Sequence, residues 1–205
     1  MDRLAITSIT NFMLASELFF LAGMMARTPK ARFSAAWLWT AAMLALATSA
    51  LLGGIDHGFV ESAGMDRFAI QRLNWLVMGL VTLLTLLATA RQFLAPRWLR
   101  PVLVVGLLQL AVYAAVILLA GSFLVVAVSY APVVVLLLVL SARGLRDGTG
   151  SWQLIVGVVV LLVATAVQVA RVDTFAPLDH DGLYHVIAMA GAPFLYWGGQ
   201  RLKVT

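Results

Sequence analysis

The chain has 205 residues, of which 62% are hydrophobic and 11% charged, whereas soluble domains run at about 45–50% apolar and about 25% charged. A mean hydropathy of +0.99 means more apolar surface than one buried core of this size can hide, which excludes a water-soluble globule. The 16 glycines and 6 prolines exclude collagen-like and low-complexity chains, and the absence of cysteine removes disulfides, thiolate metal sites and cysteine nucleophiles. A net charge of +5 points to nucleic acid or to a membrane surface, and where the charges fall decides between them.

A spanning helix needs about 20 mainly apolar residues. Seven such stretches follow one another, at 4–25, 33–54, 68–94, 101–120, 123–141, 152–170 and 182–199. They predict one all-α domain over 1–205, a seven-transmembrane helix bundle. The first stretch could be read as a signal peptide, but Glu17 interrupts its apolar run and no cleavage site stands out, so it counts as a span. Asn11 and Glu17 give that span a polar interior. In the second, Ser49, Gly53 and His57 are four apart and form one stripe. Ser49 has two readings, a hydrogen bond to a reacting carbonyl or to its own helix one turn back. Gly53 and Gly54 allow close approach of a helix or of a ligand. Gln71 and Asn74 open the third span, Gln109 and Tyr113 lie in the fourth, and Gln168 and Arg171 end the sixth. Gln109 and Tyr113 read as interhelical hydrogen bonds. The tryptophans, Trp39 among them, fall near span ends and read as interfacial anchors.

The breaks between spans alternate in charge. Arg27, Lys30, Arg32, Arg91, Arg97, Arg100, Arg143, Arg146, Arg201 and Lys203 fall on one side, ten of the 14 basic residues, with Asp147 as its one acid. Asp2, Asp56, Glu61, Asp66, Asp173, Asp179 and Asp181 fall on the other. Short basic loops stay in the cytoplasm, so the N-terminus is expected outside and the C-terminus inside. The basic pI is then topology and carries no nucleic-acid signal.

All three histidines, His57, His180 and His185, map to the acidic side. Three histidines with a fourth position open to water make a catalytic Zn²⁺ site, while solvated interfacial imidazoles are the plainer alternative. Asp56, Asp66 and Asp181 supply further ligands, orienting groups or a general base. Residues five apart on a helix differ by about 140° around the axis. His180 and His185 therefore share a face only if His180 lies in the turn before the helix. The competing set is His57, His185 and Asp181, the last four residues before His185.

A chain with a His ending span two, an acid soon after, and a His pair opening span seven resembles the superfamily of alkaline ceramidases and progestin/adipoQ receptors. The resemblance is carried by SALLGGIDHG at 49–58 and HDGLYHVIAMAG at 180–191, and is nearest to a small bacterial branch. It implies a seven-span fold, zinc on His57, His180 and His185, Asp66 as the matching acid, and hydrolysis of a lipid amide. Two departures stand out: Gly53 where the superfamily has Ser, and Asp181 where its paired histidines would be four apart.

The leading expectation is a zinc-dependent hydrolase of a lipid amide or ester, ceramidase-like, in a bacterial inner membrane with its metal site on the periplasmic side. Water activated by zinc would pass its proton to Asp66 or a neighbouring Asp, and Ser49 would assist. A zinc-binding lipid receptor or structural membrane protein without turnover is the alternative. A haem protein using His57 and His185 as axial ligands ranks third. A retinal protein is excluded, because the two lysines, Lys30 and Lys203, lie in cytoplasmic segments.

Overall fold

The computed structural model describes residues 3–205; the expected outer acid Asp2 lies outside the described residues. Seven long helices account for most of the chain: α1 (Arg3–Ala26), α2 (Ala35–Ile55), α3 (Phe68–Phe93), α4 (Leu99–Ala120), α5 (Phe123–Gly144), α6 (Trp152–Val169) and α7 (His180–Gly199). A π-helical turn, Asp56–Glu61, continues α2, and no strand occurs among the described residues. The starts follow short polar side chains that satisfy first-turn amides. Ser34, Ser122, Ser151 and Asp179 cap α2, α5, α6 and α7. Gly121, at φ 58°, stops α4 in the left-handed region, where a Cβ is costly.

Six of the helices are long and apolar enough to cross a membrane, as an integral membrane protein requires. The exception is α7, whose first turns hold His180, Asp181 and His185. Helices α1, α2, α3, α5, α6 and α7 close a ring in that order, and α4 lies outside it against α3 and α5.

Small residues let the ring close. A Cβ on Gly53 would stand 2.8 Å from Oδ1 of Asn11, and one on Gly54 would stand 2.8 Å from the Phe12 ring. The tandem glycines thus serve the approach of α1, and the Ser8 hydroxyl donates to the Gly54 carbonyl at 2.8 Å. Trp39 corrects its expected role as an interfacial anchor. It is buried, and its indole Nε1 donates to the Leu195 carbonyl at 3.1 Å, joining α2 to α7. Gln109 and Tyr113 make the expected interhelical bonds, to the Ser129 carbonyl at 2.7 Å and the Trp75 carbonyl at 2.6 Å.

Candidate functional site

One cavity of about 230 Å³ opens between α1, α2, α3, α6 and α7, near the acid-bearing helix ends, with Phe123 of α5 at its side. Its wall is polar: Asn11, Ser49, Asp56, His57, Asn74, Gln168, Asp181 and His185 all reach it. Two histidines more than a hundred residues apart in sequence therefore face one space.

His57 sits on the π-helical turn, a distortion that often marks a functional position. Its Nδ1 lies 2.6 Å from Oε2 of Glu61, four residues on. Glu61 Oε1 in turn meets Nη1 of Arg67 at 2.5 Å. Arg67 reaches back with Nε at 2.9 Å and Nη2 at 2.7 Å to the two oxygens of Asp56. Asp56 is 5% exposed, and this fork of two parallel bonds satisfies both oxygens of its buried carboxyl. The Asp56 hydrogen bond also drives the Arg67 pKa up from its already high value. The result is one chain, His57, Glu61, Arg67, Asp56, that fixes the imidazole from behind.

His185 is buried on α7, with Nδ1 3.0 Å from the Thr10 hydroxyl. That hydroxyl spends its proton on the Thr7 carbonyl at 3.0 Å. It is left as the acceptor, so the network assigns the proton of His185 to Nδ1. The carboxylate of Glu61 assigns the His57 proton to Nδ1 likewise. Both rings keep the Nε2 lone pair free of any hydrogen bond among the described residues, the tautomer in which imidazole binds metal or accepts a proton.

The remaining expected residues divide. Asp181 lines the cavity and accepts from Nε2 of Gln168 at 2.8 Å. His180 does not line it. It is the first residue of α7 itself, not of the preceding turn, and its ring turns outward, with Nδ1 2.9 Å from Asp173 and Nε2 3.6 Å from Asp181. The His180 side chain and backbone bonds hold the Asp173 carboxyl below the ordinary range. That contact is therefore present above the ordinary carboxylate range and is lost as pH falls through the lowered value. Asp66 is exposed and accepts from the Phe68 amide at 2.9 Å, a helix-start contact away from the cavity. Ser49 follows neither of its expected readings: it donates across to Oδ1 of Asn74 on α3 at 2.5 Å. Glu17 is half-buried and Arg171 exposed, and neither reaches the cavity.

Sequence reasoning missed Glu61, Arg67 and Thr10 as site residues. The four-residue spacing of His57 and Glu61 was a usable signal; nothing local marks Thr10 as the partner of a residue 175 positions away. With Asp56 taken up by Arg67, the cavity is lined by two imidazoles and the carboxylate of Asp181, which match in kind the two-His, one-carboxylate set of catalytic zinc. In the side-chain positions described, no three His, Asp or Glu groups stand close enough to share one ion.

A helical membrane bundle with a polar, histidine-bearing cavity at one end is thus the class the fold and site define. The chain belongs to a family of unknown function, DUF6962, whose model matches residues 6–204. No curated protein and no solved structure matches it.

Proposed function

We propose that the cavity takes the head of a membrane lipid and, with Zn²⁺ on His57, His185 and Asp181, hydrolyses an amide or ester in it. The carrying observation is that these three groups, from the π-helical turn after α2 and from α7, line one polar cavity, with the Nε2 lone pair of each imidazole free. The resemblance to alkaline ceramidases and progestin/adipoQ receptors points the same way. Its third histidine, His180, gives way to Asp181, because His180 faces Asp173 instead. Seven spans, an outer N-terminus and a cytoplasmic C-terminus in a bacterial cell membrane complete the reading, with the cavity on the periplasmic side.

His57, His185 and Asp181 would hold the ion, which would supply the Lewis acidity that polarises a carbonyl and acidifies water. The chain supplies the rest. Gln168 orients Asp181, while Glu61 and Thr10 fix the two rings. Asn74 lines the cavity with its Oδ1 occupied by Ser49, and its amide N–H would be the donor for the lipid carbonyl. Asp56, held in place by Arg67, would take the proton of the attacking water and return it to the leaving nitrogen or oxygen.

Metal analysis of the purified protein tests this directly. The expected result is about one zinc per chain, lost in His57→Ala and His185→Ala and retained in His180→Ala. A metal-free wild type overturns the reading.

A lipid receptor without turnover is the second reading. It is favoured by Gly53, whose missing side chain leaves room for Asn11 where the resembling superfamily carries a serine. Zinc-loaded protein that leaves a panel of lipid amides and esters intact would establish it over hydrolysis.

A further inference from the structure

At the opposite, basic end a second cavity of about 450 Å³ lies between α2, α3 and α4. Its chemistry is the reverse of the first. Trp37, Leu84, Leu87 and Leu103 form apolar walls, and its charged residues are Arg91, in the last turn of α3, and Arg100, in the first turn of α4. From Leu84 to Arg91 the helix rises about 10 Å, so the slot has an apolar depth and a cationic end.

The two guanidiniums are exposed, and neither has a carboxylate partner among the described residues. The acid of this end, Asp147, is engaged by the Thr149 amide and hydroxyl. The start of α4 has no acid in its first turn and no side-chain cap, which leaves Arg100 beside the positive end of the helix dipole. Positive charge thus accumulates there uncompensated, at the end of an apolar slot. Guanidinium binds phosphate through paired N–H groups.

We propose that this slot is a binding site for an anionic phospholipid of the leaflet at the basic end, an acyl chain lying along Leu84 and Leu87 and the phosphate between Arg91 and Arg100. The occupant has to be amphiphilic, because the walls reject a polar ligand and the arginines are left unpaired by a neutral one. The site is independent of the zinc reading, since it shares no residue with the histidine cavity.

Native mass spectrometry of the full chain, released from detergent with defined lipids, provides the test. Phosphatidylglycerol should be retained about tenfold more than phosphatidylcholine of the same chains, and glycerol phosphate should not be retained. Arg91→Gln and Arg100→Gln should each weaken retention about fivefold, the value of one basic residue near an anionic surface. Arg146→Gln and Arg201→Gln remove the same charge at the same end away from the slot, and should leave retention unchanged. Leu103→Trp, on an exposed wall, should lower retention with all charges intact. Equal retention of the two lipids, equal loss in the control variants, or retention untouched by Leu103→Trp would each overturn the proposal. So would a change of oligomeric state in Arg91→Gln without loss of lipid, which would assign the slot to a second copy of the chain.

Discussion

Helices α2 and α4 are nearly equal in length, 21 and 22 residues, yet they serve opposite purposes. The apolar stretch of α2 and its π turn is 61% buried; that of α4, the more apolar of the two, is 17% buried. The buried face of α2 is largely Ala, Gly, Ser and Thr, whereas α4 buries Gly106, Tyr113 and Ile117 and turns Leu and Val outward. In lipid, apolarity does not drive helices together, because the tails are as apolar as leucine. Close backbone approach and hydrogen bonds do. The interior of this bundle is therefore the less greasy part, and that is where a polar cavity can be built.

The comparison breaks most visibly where two small-residue faces meet. Gly157 of α6 has no room for a side chain, since a Cβ there would stand 2.9 Å from the Leu195 backbone nitrogen. Gly157→Leu should cost 3 kcal/mol or more, about the upper end for overpacking, and reduce the yield of folded, monodisperse protein on size exclusion. Next is Arg67→Gln, which leaves the buried Asp56 without its charged partner. A loss of about 2–3 kcal/mol is expected, read as a lower thermal midpoint; Asp56→Asn in the same chain should restore part of it. Thr10→Val removes the acceptor that fixes His185. It should weaken zinc binding by about 10–100-fold, as loss of an orienting contact behind a ligand does, with little change in fold. The smallest effect belongs to α4: Leu108→Ala, at a side chain 61% exposed, should stay within about 0.5 kcal/mol of the parent by thermal unfolding in the same detergent.

Much of the fold was legible because membrane helices are written locally. Apolar length placed the seven helices to within a few residues of their observed bounds. Which helix faces lipid was not legible from hydropathy, which ranks α4 as the better buried candidate. Trp39 shows the same limit: an aromatic near a span end reads as an anchor, but its indole meets a carbonyl of α7. At the site, sorting polar residues by depth put His57, His185, Asp56 and Asp181 at one end, and they do share a cavity. What sequence could not give was side-chain direction. His180 and Asp66 lie at the expected depth but turn to Asp173 and to the start of α3. Thr10 and Arg67 enter through contacts that only the folded ring creates.

Anomalous diffraction at the zinc edge, from crystals of the full chain grown with zinc, tests the central claim most directly. The account predicts one peak inside the histidine-bearing cavity, within coordination distance of Nε2 of His57, Nε2 of His185 and a carboxylate oxygen of Asp181. An empty cavity, or a peak held by His180 and Asp173 at the surface instead, would contradict it.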